Sequence, residues 1–221
     1  MALSDGAKDN APPPNLIKRP EYSGKGVLVD AGGFVDKLRF FDLLYSAIKA
    51  TDARAFGDHV SLKDALAVLQ RLCRSATFDK SAKIILIGNG GSSAIASHIA
   101  TDFSKNGGLR TIAFNDAPTL TCLGNDYGIS EIFAKQLEFY AFPKDLVIIV
   151  SSSGKSPNIV RAAEQAFTMG LDLVTLSGMN PDNVLRRKGM LNFFVPAKDY
   201  GLVEIAHLAL LHSIVSVKGD L

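Results

Sequence analysis

An α/β fold, a parallel sheet covered on both faces by helices, is what this sequence predicts. Three observations carry the prediction. Short apolar runs alternate with helical patterns along most of the chain. Two of those runs end in small, polar loops that open a helix. Lys83-Ile-Ile-Leu-Ile leads into Gly88-Asn89-Gly90-Gly91-Ser92-Ser93, and Leu146-Val-Ile-Ile-Val leads into Ser151-Ser152-Ser153-Gly154-Lys155-Ser156. The length, 221 residues with 47% hydrophobic content, suits one sizeable domain with a real core.

In chain order, residues 1 to about 26 hold Pro12, Pro13, Pro14 and Pro20 among small and charged residues and read as a mobile tail. Residues 27–221 read as a single domain with an N-terminal helical extension. Leu38, Phe41, Leu44 and Ile48 form one stripe, which predicts a helix from Phe34 to about Ala55. Ser61 and Asp64 form a capping-box pattern and start a second helix running to about Cys73. Strands are expected near 83–88, 110–115, 145–150, 171–176 and 191–195. Helices are expected near 92–105, 129–141, 157–169, 181–187 and 202–217. Ligands of such sheets bind beyond the carboxyl ends of the strands, where both polar loops fall.

Composition narrows the function. A net charge of +2, with no basic run, argues against a nucleic-acid surface. No apolar run approaches the roughly 20 residues that span a bilayer, and no signal-peptide pattern opens the chain. Cys73 and Cys122 sit in apolar segments without metal-type spacing, so they read as reduced core thiols of a cytoplasmic protein.

The two loops suit an anion: glycines admit close backbone approach, hydroxyls donate, and the next helix has N–H groups without partners. Their bland alternatives are a tight strand-to-helix turn and a plain helix cap, Ser156 before Pro157 being a good cap pair. No Gly-Lys-Ser/Thr closes the first loop as in a P-loop, and no Gly-x-Ser-x-Gly elbow marks a nucleophile. The four histidines divide. His59 sits beside Gly57 and Asp58 and reads as solvated. His98 shares a helix face with Asp102. Glu204, Leu208 and His212 form a row on the last helix, from which His207 points away. Two imidazoles and two carboxylates on otherwise apolar helices could make a tetrahedral zinc site or an acid/base set.

Together these residues resemble the sugar isomerase (SIS) domain family and, within it, the phosphoheptose isomerases. The resemblance spans roughly residues 34 to 217. It rests on Gly88-Asn-Gly-Gly-Ser, His98-x-x-x-Asp102, Gly124-Asn125-Asp126-Tyr-Gly, Ser151-Ser-Ser-Gly-Lys-Ser156 and Glu204-x-x-His207-x-x-x-x-His212, in that order and spacing. It implies a flavodoxin-like, three-layer α/β/α sandwich and homotetramers with active sites between subunits. It implies that Asn89, Gly90, Gly91 and Ser92 lie against a sugar phosphate, that Ser151, Ser152, Ser153 and Ser156 bind its phosphate, and that Asn125, Asp126 and Glu204 touch substrate. It implies a divalent metal, most often zinc, on His98, Asp102, Glu204 and His212, with Asp102 as base and His212 as proton donor. This chain departs from the family where Asp102 replaces glutamate, Glu204 replaces glutamine and Lys155 replaces a small polar residue; the stretch before Glu204 is one residue shorter. The expected function is aldose–ketose isomerisation of a phosphorylated sugar, most often sedoheptulose 7-phosphate. The alternatives are a non-catalytic SIS protein binding a sugar phosphate or a protein partner, and a nucleotide-binding α/β protein.

Overall fold

The chain enters its fold through a helix shorter than its apolar stripe suggests. α1 (Arg39–Lys49) stops at Ala50. β1 (Asp52–Ala55) and β2 (Asp58–Val60) follow as a hairpin, where a continued helix was expected. Phe56 (φ 52°) and Gly57 (φ 94°) both take left-handed backbone at its turn, the pattern that matches the twist of paired strands. β1 also pairs antiparallel along the edge of the sheet, Ala53 facing Phe193. The Asp52 carboxylate meets His59 Nδ1 at 2.8 Å and pairs with the Arg186 guanidinium. These distant partners outweigh the weak helical preference of Asp-Ala-Arg-Ala. The computed structural model describes residues 37–78 and 82–216, and those from Leu38 onward form one compact unit. The N-terminal tail expected over residues 1–26 lies outside them.

The remaining elements follow the predicted alternation. α2 (Leu62–Phe78) starts on its capping box, with the Asp64 N–H donating to Ser61 Oγ at 3.1 Å and Ser61 Oγ donating to Asp64 at 2.6 Å. Next come β3 (Ile84–Gly88), α3 (Gly91–Lys105), β4 (Thr111–Ala113), α4 (Ala117–Tyr127), α5 (Ile132–Tyr140), β5 (Leu146–Ser151), α6 (Pro157–Thr168), β6 (Asp172–Gly178), β7 (Leu191–Val195) and α7 (Tyr200–Ser216). A 3-10 turn, Val184–Arg187, stands where a helix over 181–187 was expected. α4 was not anticipated; Asp116 caps it by accepting from the Thr119 N–H, with Pro118 in its first turn.

The sheet runs β2-β1-β7-β6-β5-β3-β4. Its five parallel strands, read from the β4 edge, have the flavodoxin-like order in which the second strand lies outside the first and the third to fifth extend the other way. The hairpin makes the sheet mixed rather than purely parallel. β3 and β5 are buried along their whole length, as strands covered on both faces must be. Side chains alternate between two cores. Ile84, Leu86, Ile148 and Val174 pack beneath α2, α3 and α7, while Ile85, Ile87, Val147 and Ile149 pack against α4, α5 and α6. At the amino edge of the strands the buried Asp145 accepts from the Lys83 N–H at 2.8 Å, Lys83 Nζ at 2.6 Å and the Phe142 N–H at 2.8 Å, tying β3 to β5. No helix among the described residues is long and apolar enough to cross a membrane.

Candidate active site

The strand order places one crevice. From β3 the chain goes outward to β4, and from β5 it builds the sheet the other way, so the loops after β3 and β5 diverge at the switch point. Those are the glycine loop and the serine loop. α3 leaves over one face and α6 over the other. The loops are joined by a reciprocal amide pair: Asn89 Nδ2 donates to Asn158 Oδ1 at 2.9 Å, and Asn158 Nδ2 donates to Asn89 Oδ1 at 3.0 Å. Asn158 was not among the predicted site residues. Its signal was an amide just inside a proline-started helix, a position with no distinctive spacing.

In the serine loop, Ser151 and Ser152 are buried. Ser151 Oγ accepts from the Gly154 N–H at 3.2 Å, which curls the loop. Gly154 (φ 60°) packs against the Asn183 side chain and has no room for a Cβ. Ser152 Oγ is buried and has no hydrogen-bond partner. Ser156 takes the capping position with Pro157 at N1, yet its side chain makes no capping bond. A buried unpartnered hydroxyl, a hydroxyl not spent on capping and a helix N-terminus therefore belong to one loop, which is a set of donors suited to an anion. Ser153 and Lys155 line a cavity of about 280 Å³ with Met179, Asn180, Asp182, Asn183, Val184 and Tyr200.

The second group lies between α3 and α7, neighbours on one face of the sheet. Both follow parallel strands and run in the same direction. Near their starts Gly91 packs against the Glu204 carboxylate, and seven and eight residues further on His98 meets His212. His98 Nε2 and His212 Nε2 are 3.0 Å apart. Asp102 Oδ2 lies 3.5 Å from His98 Nε2 and 3.3 Å from His212 Nδ1. The two short approaches to His212 are to different ring nitrogens, Nε2 towards His98 and Nδ1 towards Asp102, and the three side chains each offer one ligand atom within 4.8 Å of the others, close enough to share a divalent cation. Among the described residues it is the group of His, Cys, Asp and Glu placed to share one ion. Glu204, expected as a fourth ligand, is not in it. Two helical turns separate Glu204 from His212, a rise of about 12 Å, and its carboxylate ends at the start of α3, where the helix dipole favours it.

The SIS domain family matches residues 58–178. The chain belongs to the SIS domain family. A phosphoheptose isomerase from Fusobacterium nucleatum is 34% identical over 182 residues, covering 79% of this chain and 87% of the relative. Another, from Solidesulfovibrio magneticus, is 35% identical over 176 residues, covering 75% and 79%. Among solved structures, the phosphoheptose isomerase of Neisseria gonorrhoeae matches with a TM-score of 0.68 at 25% identity, covering 80% of this chain and 92% of that one.

Within this SIS domain the other predicted residues are placed as follows. Gly90 (φ 52°) is the N-cap of α3, in backbone that favours glycine, and Gly91 opens the helix. Ser92, expected at the substrate, is buried against Gly88. Asn125 and Asp126 are exposed near the end of α4, where Asn125 Nδ2 donates to Asp126 at 2.8 Å. Cys122, expected as a core thiol, is exposed on the same helix, where its thiol lies 3.6 Å from the Asp126 carboxylate. Cys73 is buried, and burial pushes its thiol pKa up to about 12. His59 is on β2, exposed and bonded to Asp52. His207 is fully buried, with Nε2 donating to the Ser177 carbonyl at 3.0 Å.

Proposed function

We propose that the protein is an aldose–ketose isomerase converting sedoheptulose 7-phosphate to D-glycero-D-manno-heptose 7-phosphate. The single observation that carries the chemistry is the carboxylate of Asp102, on the helix that starts at the glycine loop, flanked by the His98 imidazole of that helix and the His212 imidazole of α7. The similarity to phosphoheptose isomerases over most of their length supports the substrate class. Asp102 takes a proton from C1 of the open-chain ketose, leaving an enediol, and the proton is returned at C2. His212 moves the proton between the adjacent oxygens. The serine loop and the N-terminus of α6 hold the phosphate away from the reacting carbons, so binding energy is spent on positioning.

His98, Asp102 and His212 are the residues that would hold a divalent metal, and zinc is the ion we assign from the donor set. Bound there, the metal would withdraw charge from the substrate oxygens. The homotetramer remains our reading of the assembly, and the cytoplasm of its location.

A coupled assay over seven-, six- and five-carbon ketose phosphates tests the function. Turnover of sedoheptulose 7-phosphate is expected. No turnover on any of them, with binding retained, would replace the enzyme with a sugar-phosphate sensor. Soaking with sulfate should place the anion on Ser151, Ser152, Ser153 or Ser156, and an anion found only elsewhere would remove the phosphate assignment.

A further inference from the structure

We propose that His207 is a positioning residue that holds the serine loop in its binding shape through the peptide group between Ser177 and Gly178. The inference rests on the serine loop being the phosphate site. His207 Nε2 lies 3.0 Å from the Ser177 carbonyl oxygen. A carbonyl only accepts, so Nε2 carries the ring proton. The N–H on the other side of that same peptide, Gly178 N–H, donates to the Ser152 carbonyl at 3.0 Å. In a trans peptide the carbonyl and N–H point opposite ways. One rigid unit therefore joins α7 on one side to the serine loop on the other, and each of its bonds polarises the other.

Three further observations support the link. Gly178 has no space for a Cβ, which would stand 2.6 Å from Val203 Cγ1 and 3.1 Å from the Val195 carbonyl oxygen. Val203 sits one turn before His207, so α7 is pressed onto this peptide. Ser152, the residue whose carbonyl is held, also carries the buried hydroxyl without a partner. Finally, His207 Nδ1 is buried and unpartnered, which is costly for a polar atom. A leucine would fill the space without that cost, so packing does not account for an imidazole here. Burial holds the ring neutral, its pKa pushed down to about 4. Because α7 also carries Glu204 and His212, the same helix sets the phosphate loop and the proton-transfer cluster.

The test compares His207→Gln, whose amide can donate from near the Nε2 position, with His207→Asn, whose shorter amide cannot reach. His207→Asn should raise KM for sedoheptulose 7-phosphate and weaken equilibrium binding of inorganic phosphate, each by about tenfold, the range of one hydrogen bond. Its kcat should stay within about twofold. His207→Gln should recover most of both. Gly178→Ala, which displaces the peptide while leaving His207 intact, should repeat the His207→Asn effect. Unchanged KM and phosphate binding in His207→Asn and Gly178→Ala, or equal losses in His207→Gln and His207→Asn, would overturn the proposal. Ser151→Ala and Ser152→Ala separate the two levels. If they leave phosphate binding unchanged, the phosphate-site assignment itself fails. If they weaken it while His207→Asn does not, only the role of His207 fails.

Discussion

In the proposed reaction Asp102 is the base. It is one methylene shorter than the glutamate of the family it resembles, yet its carboxylate lies between His98 and His212. Asp102→Asn and His212→Gln should each lower kcat by roughly 10²–10⁴-fold, the range for a positioned proton-transfer group, with phosphate binding intact. Asp102→Glu asks whether the pocket has closed around the shorter side chain, and we expect lower turnover because a shift near 1 Å is costly at a reacting carbon. Stopped turnover assays on sedoheptulose 7-phosphate read all three; a faster Asp102→Glu enzyme would mark the wild type as a weakened form. His207 makes a separate, pH-dependent contribution. Its folded pKa, about 4, lies below the ordinary 6.5. The unfolded chain therefore binds the extra proton first, so this contribution is complete above pH 6.5 and is lost as pH falls through 4. Between pH 7 and pH 5 the wild type should lose roughly 2 kcal/mol more stability than His207→Gln, read from urea midpoints at both pH values. At this scale His98, Asp102 and His212 were legible from i, i+4 and i+8 spacing. His207 was visible only as a ring pointing away from that row, because its partner is a backbone carbonyl thirty residues earlier in the chain.

Among the elements, α3 and α7 carry the site because they run side by side in the same direction. Gly91 lets their starts approach, with the Glu204 carboxylate occupying the space a Cβ would need. Gly91→Ala should change stability by no more than about 1 kcal/mol, since the obstructing group is the end of a flexible side chain and alanine favours the helix. The Glu204 carboxylate must move, and kcat/KM should fall; a variant with unchanged kcat/KM would remove Glu204 from the substrate contacts. A thermal melt beside steady-state kinetics separates the two effects. The helix and strand periods announced most elements within a few residues. They failed at Asp52–Ala55, where pairing with β7 overrides local preference, and at Ala117–Tyr127, whose start is marked by a cap, Asp116 with Pro118 and Thr119, rather than by an apolar period.

At the scale of the whole molecule, one surface asks for a partner. Leu38, Phe41 and Tyr45 of the first helical segment are 70%, 62% and 63% exposed, and Tyr200 and Ile205 of α7 are exposed as well. α1 packs on α7, and α7 is also the helix of Glu204 and His212. A second copy covering these faces would bring the subunit boundary to the catalytic helix. Sedimentation should give a tetramer at micromolar concentration, and Phe41→Asp with Tyr45→Asp should yield smaller species with lower activity. A wild-type monomer of full activity would contradict this.

The sequence by itself determined the α/β class, the two anion-type loops and the helix faces carrying His98, Asp102 and His212. Each of these follows from spacing within one element or one strand–loop–helix unit. Tertiary structure decided what came from different parts of the chain. The strand order set the two loops at one switch point and allowed Asn89 and Asn158 to clasp. The parallel course of α3 and α7 brought His98 onto His212, 114 residues apart, and left Glu204 two turns away beside Gly91. Hydrogen bonds and crossings between distant segments depend on sheet order and helix direction, and a one-dimensional period contains neither.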